Sequence, residues 1–191
     1  MKRSTPKLAV ILGVTISIFL SSCSKDDGPS SGENVLTFDG NAYTMVDGLV
    51  SDYGSGFPYS SDQSTAHYNL DFTVFDGEIT LFEDGFSSVG VTLEVYVELF
   101  APGESFSAGT FQYVDDDASA SETENKHVFS AGEVIVVGSS SDNEYEVTGG
   151  SVVVSGSGNT NYTLTYNLQV EGGRTLTGTY AGSFKYEDER E

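Results

Sequence analysis

Residues 35–191 are predicted to form an all-β domain, an antiparallel β-sandwich of about ten strands. Three observations carry that expectation. Apolar residues recur with period two rather than 3.6, Gly-containing turn dipeptides punctuate the runs, and no stretch combines a sustained helical period with caps. A lipocalin-like barrel satisfies the same pattern and would differ by enclosing an interior ligand cavity.

Taken in chain order, residues 1–22 come first. Lys2, Arg3 and Lys7 precede a thirteen-residue apolar run from Leu8 to Leu20. A helix needs about 20 apolar residues to cross a bilayer, so this run suits the core of a secretory signal peptide better than a permanent span. Leu20-Ser21-Ser22-Cys23 follows. It resembles the lipobox of bacterial lipoproteins: an apolar residue, two small residues that let a peptidase fit around the backbone, then the cysteine. The resemblance implies cleavage before Cys23 and lipid on its thiol and amine, and two or more acyl chains anchor stably where one does not. Cys23 is the only cysteine in the chain, so neither a disulfide nor a thiolate metal site is expected in the domain.

Residues 23–34 read as a lipidated, disordered tether, since Ser24 to Asn34 include no apolar side chain and are rich in Ser, Gly and Asp. Its start, Ser24-Lys25-Asp26-Asp27, looks like the short acidic export signal of surface lipoproteins of the Bacteroidota. That likeness implies an outer-membrane lipoprotein displayed on the cell surface, a periplasm-facing anchor being the alternative.

The strands follow. Asp39-Gly40 separates Val35–Phe38 from residues 41–46, and Asp76-Gly77 separates the next clear strand from Glu78–Phe82; both dipeptides suit two-residue hairpins. Tyr68, Leu70, Phe72 and Val74 alternate with polar residues, as do Val91, Leu93, Val95, Val97 and Leu99, and again Tyr162, Leu164, Tyr166, Leu168 and Val170. In the last strand Leu176, Tyr180, Phe184 and Tyr186 share a face with Gly178 and Gly182, which suggests bends or bulges. Residues 156–159 and 171–173 read as longer hairpin loops. Residues 67–72 resemble 161–166, and 109–113 resemble 182–186, in the same order, which points to an internal duplication with its seam at residues 115–126.

Chemistry is sparse. With 29 acidic residues against five Lys and Arg after Cys23, the mature charge is −24, which repels nucleic acid and anionic headgroups. Gly28-Pro29-Ser30-Ser31-Gly32 matches a nucleophile-elbow pattern, but in the tether, where no strand-to-helix turn could strain the serine. His67, on the polar phase of its strand, and His127, beside a loop, lack zinc spacing and read as surface residues. Glu94 and Glu98 share the outer face of one strand and read as a solvated charged face. Asp115, Asp116, Asp117, Glu122 and Glu124 form the densest acidic segment without EF-hand spacing, so they read as a mobile loop. Phe57 and Tyr59, in a polar loop over residues 51–65, could form a small contact surface.

No catalytic residue, no metal ligand and no cofactor is therefore expected. The function that fits is a monomeric, non-catalytic binding domain whose partner is a glycan, a peptide or a protein; the alternatives are a hydrolase with a carboxylate pair drawn from separate strands, or a structural or assembly lipoprotein. The anchor is the testable part. Cys23→Ala should abolish processing and detergent-phase partitioning; a variant that still runs at mature size and still partitions would refute the assignment.

Overall fold

The computed structural model describes residues 34–56, 58, 64–83 and 85–190. The segments read as signal peptide and tether, Cys23 included, lie outside these residues, as do Phe57 and Tyr59. Thirteen strands, one short α-helix and one 3-10 turn (Glu171–Gly173) are described: β1 (Val35–Phe38), β2 (Asn41–Thr44), β3 (Asp47–Gly56), β4 (His67–Phe75), β5 (Glu78–Phe82), β6 (Gly85–Val89), β7 (Leu93–Pro102), β8 (Gly109–Tyr113), α1 (Ala120–Thr123), β9 (Val128–Phe129), β10 (Gly132–Val136), β11 (Asn143–Ser157), β12 (Asn161–Val170) and β13 (Arg174–Asp188). The all-β class is as expected. So is the absence of any long helix among the described residues, none being long and apolar enough to cross a membrane.

Eleven strands form one large sheet, and β5 with β6 forms a separate two-stranded hairpin. The large sheet folds over into a sandwich, because its two longest strands belong to both layers. β11 pairs with β10 at its start, through Glu133↔Glu146, and with β12 from Val147 to Ser157, after a bulge between Val147 and Gly149. β13 pairs with β12 from Arg174 to Ser183, then with β3 from Phe184 to Asp188. With β3–β4, β4–β7 and β7–β10 completing the circuit, the layers are continuous, as happens where strands switch sheets at bends. The β3–β13 and β8–β9 pairings are parallel, so the sheet is mixed rather than purely antiparallel.

The alternating residues meet between the layers. Leu70, Phe72 and Val74, the Leu93 to Leu99 series, and Leu164, Tyr166, Leu168 and Val170 are all buried. Phe72 lies at the centre, its ring 5.1 Å from that of Tyr162 and 5.4 Å from that of Phe184, both nearly edge-on, a preferred aromatic geometry. The interior is thus packed with side chains, and the sheet is not a clean barrel. The residues matched between the two similar segments, Leu70 with Leu164, Phe72 with Tyr166 and Phe111 with Phe184, are all core positions.

Turn chemistry decides two connections differently. Asp39-Gly40 forms the expected hairpin, with Phe38 opposite Asn41 and positive φ at both turn residues, 47° and 81°, as a type I′ turn requires. Asp76-Gly77 does not: β4 pairs with β3 and β7, while β5 pairs only with β6. The Asp76 carboxylate instead accepts the backbone N–H groups of Thr92 (2.7 Å) and Leu93 (2.8 Å). That ties the corner to the start of β7 and throws β5 off the sheet. Two boundaries also move: residues 51–56, read as loop from their polar composition, complete β3, and the β11–β12 turn is Gly158-Asn159-Thr160.

Gly178 has φ +135°, and a Cβ there would lie 2.2 Å from the Val35 carbonyl oxygen, so its role is close approach of β1 rather than a bend. Gly178→Ala should cost more than about 1 kcal/mol, since both the backbone conformation and the neighbouring strand oppose it. Gly56→Ala, with nothing within 4 Å of the added atom, should stay within about 0.5 kcal/mol. Urea denaturation of both variants checks the contrast, and equal losses would contradict it.

Candidate functional site

One end of the sandwich is hollowed into a pocket of about 420 Å³, inside the range of small-molecule sites. Four separate parts of the chain build it. The end of β3 contributes Asp52, the start of β4 contributes Tyr68 and Leu70, residues 105–108 between β7 and β8 form one wall, and residues 156–159 with Tyr162 form another; Tyr186 of β13 closes it.

Asp52 forms its floor. It follows Val50 on the inward phase of β3, and a bulge between Asp52 and Gly54 interrupts the register there, as bulges do where a strand re-aims a side chain. Only 5% of the residue is exposed, and a carboxylate so far from water is costly unless fully paired. It is paired. Oδ1 accepts the Gly54 N–H at 3.0 Å, and Oδ2 accepts the hydroxyls of Tyr68 at 3.0 Å and Tyr186 at 2.8 Å. The exposed guanidinium of Arg190 stands 3.7 Å from Oδ2 but is held in bidentate fashion by Asp188. Burial, then the bond to Asp52 and its charge, pushes the Tyr186 hydroxyl up to about 12, so it stays a donor at any physiological pH.

The aromatic walls are held as firmly. Phe106 stacks on Phe111 with centroids 5.6 Å apart and planes 10° from parallel, and the Tyr162 hydroxyl donates to the Gly158 carbonyl across the β11–β12 turn. The pocket therefore presents ring faces, serine hydroxyls, an asparagine amide and turn backbone. It offers one carboxylate, and that group's partners are all within the protein.

Both histidines prove structural rather than superficial. His67 is fully buried, contrary to its polar-phase reading, because residues 120–126 fold over the start of β4. Its Nε2 lies 3.1 Å from the Thr123 carbonyl and 3.2 Å from that of Lys126, and a carbonyl can only accept, so Nε2 carries the proton. His127 Nε2 lies 3.0 Å from Ser107 Oγ, a separation that suggests a nucleophile and base. The same nitrogen also lies 3.1 Å from the Ser107 carbonyl. It must donate there, so it cannot accept the serine proton, and the pair positions the pocket wall instead of activating a nucleophile.

The acidic segment is likewise tied into the fold. Ser119 and Glu122 form a capping box around α1, the Ser64 hydroxyl donates to the Glu124 carboxylate, and Asp115, Asp116 and Asp117 are exposed. Among the described residues no group of three or more His, Cys, Asp or Glu could hold a metal ion.

Glu94 and Glu98 do lie on the outer face of β7, but they are half-buried rather than freely solvated. Glu98 stands directly opposite Asp71 of β4. Burial, then Asp71 and Asp116, pushes the Glu98 carboxyl up to about 7; burial also raises Asp71, against the hydrogen bonds it accepts from Tyr96 (2.8 Å) and Asn69 (3.0 Å). Like charges directly opposite in a sheet are destabilising. A groove of about 300 Å³ runs beside them, lined by Tyr53, Asn69, Glu98 and Phe100 among others.

Asp52, Tyr68 and Tyr186 were not identified as a site from sequence. The available signal was a lone carboxylate on the apolar phase of a strand, hidden because residues 51–65 read as loop. No protein-family model, curated protein or solved structure matches the chain.

The Glu98 shift has a definite sign. Its folded pKa lies above the ordinary 4.5, so between about 4.5 and 7 the folded state binds more protons and stability falls as pH rises. The melting temperature should rise as pH is lowered from 8 to 5.5, and Glu98→Gln should rise less over the same interval. Equal slopes in the two proteins would show that Glu98 is not the titrating group.

Proposed function

We propose that the chain is a lipid-anchored extracytoplasmic binding protein, held in the outer membrane through Cys23, that takes a neutral, polyhydroxylated ligand of the carbohydrate class in the pocket above Asp52. The lipobox at Leu20 to Cys23 supports the anchor, and Lys25-Asp26-Asp27 supports display on the cell surface. The pocket is the observation that carries the ligand class. Anions are disfavoured by a mature charge of −24. Cations gain little from Asp52, whose charge is already met by two hydroxyls and a backbone N–H. What remains is a ligand with apolar faces for Tyr68, Phe106 and Tyr186 and hydroxyls for Ser105, Ser107 and Asn159, which describes a sugar ring.

A second reading has its own observation. Asp71 and Glu98 are carboxylates from separate strands whose protonation is perturbed, as general acid–base pairs are. They lie on the outer face rather than in the deep pocket, which favours binding without turnover.

Titration calorimetry of the mature protein against a panel of neutral disaccharides tests the choice. Binding should weaken at least tenfold in Tyr68→Ala and Tyr186→Ala and persist in Glu98→Gln. Cleavage of a disaccharide, lost in Glu98→Gln, would instead establish the hydrolase, and no binding across the panel would overturn the carbohydrate assignment.

A further inference from the structure

The hairpin of β5 and β6 stands outside the main sheet, and its packing is one-sided. Ile79 is buried with Leu49 and Phe75, and the Phe86 ring sits 5.3 Å from that of Phe75, so the inner face roots the hairpin to the body. The rest of the hairpin is bare. On the outer face Phe82 is 60% exposed and Val89 73%, while Phe86 on the rooted face keeps 41% exposure and Val46 beside the root 51%. Four of the six exposed large hydrophobic residues of the described chain are thus at this one corner, where solitary exposures would be unremarkable.

The same corner is where the chain leading to Cys23 enters the fold. The Asn34 carbonyl accepts the Met45 N–H at 2.8 Å, and the next residue, Val46, donates to the Phe75 carbonyl at 2.7 Å. Phe75 ends β4, and the Ile79 N–H of the hairpin bonds to Asp47 at 2.9 Å. The pocket lies at the other end of β4, at Tyr68. Seven residue steps of strand separate the two, about 24 Å at roughly 3.4 Å per residue. The eleven residue steps from Cys23 to Asn34 can span at most about 40 Å, so lipid at Cys23 would keep this corner within reach of the bilayer.

We infer that the β5–β6 hairpin docks on the lipid surface, with Phe82 and Val89 of its outer face entering the interfacial region and the Asp52 pocket turned away from it. This rests on the anchor reading. Residues 78–89 contain Glu78, Glu83 and Asp84 and no Lys or Arg, so the contact is apolar rather than electrostatic, and it favours zwitterionic over anionic lipid. Docking would hold the pocket at a fixed height and orientation above the membrane instead of leaving it to swing on the tether.

The chain has no tryptophan, so one introduced indole reports its own surroundings. Full-length lipidated protein carrying Phe82→Trp, reconstituted in phosphatidylcholine liposomes, should show a blue-shifted emission quenched at least twofold by brominated lipid. Asn159→Trp, at the pocket rim, should show neither effect, and phosphatidylglycerol liposomes should reduce the Phe82→Trp quenching. If the wild type floats with liposomes and Cys23→Ala does not, but Phe82→Trp is unquenched, the hairpin contact is wrong and the anchor stands. If Cys23→Ala floats equally, or the wild type fails to float, the anchor reading falls and the docking inference with it. A blue shift without quenching, together with a doubled mass in sedimentation, would assign the patch to a second copy of the chain and overturn the lipid contact.

Discussion

Halfway along its length β13 exchanges β12 for β3, and the backbone hydrogen bonds on either side of Ser183 join the two layers into one sheet. The exchange brings Phe184 against the ring of Phe72 at the centre of the core. Two residues further on, it delivers Tyr186 to Asp52. Without that junction the Asp52 carboxylate would keep the Gly54 and Tyr68 donors but lose a 2.8 Å donor, and an under-satisfied buried carboxylate is destabilising. Core closure and pocket formation are therefore one event, and with Cys23 the only cysteine no disulfide inside the domain stands behind it.

Charge shapes what the surface can do. The cations of the described chain are few and already engaged: Arg174 lies near Asp39, Lys185 pairs with Asp47, Arg190 is held by Asp188, and Lys126 donates to the Ser121 carbonyl. The outer face of β4, β7, β10 and β11 is left with directly opposed acids, Asp71 with Glu98 and Glu133 with Glu146. Such a face repels anionic partners and loosens the domain as pH rises. The pocket differs, because its one carboxylate is wrapped in donors and the other groups lining it are neutral.

The two ends of β4 divide the labour. At Phe75 the sheet ejects an apolar hairpin beside Asn34, the first described residue; at Tyr68 it opens into the aromatic pocket. Under the proposed docking the hairpin end would face the bilayer and the pocket end would not. The two histidines act mechanically, each stapling a loop with Nε2: His67 holds residues 123–126 against β4, and His127 holds the wall at Ser107.

The sequence by itself determined what local physics controls. Period-two alternation from Tyr68 to Val74, Leu93 to Leu99 and Tyr162 to Val170 defines strands and their buried faces, because side-chain direction in a strand depends only on the backbone. The Asp39-Gly40 hairpin was legible for the same reason, since positive φ is a property of those two residues. Tertiary structure alone decided the rest. Asp76-Gly77 became a corner because its carboxylate found the start of β7, sixteen residues away. His67 was buried by residues 120–126, which no pattern around it announces. Asp52 became the floor of a pocket only when Tyr68 and Tyr186, the latter 134 residues distant, converged on it. Long-range pairing is chosen by the summed packing of the whole sheet, and no local window of sequence contains that sum.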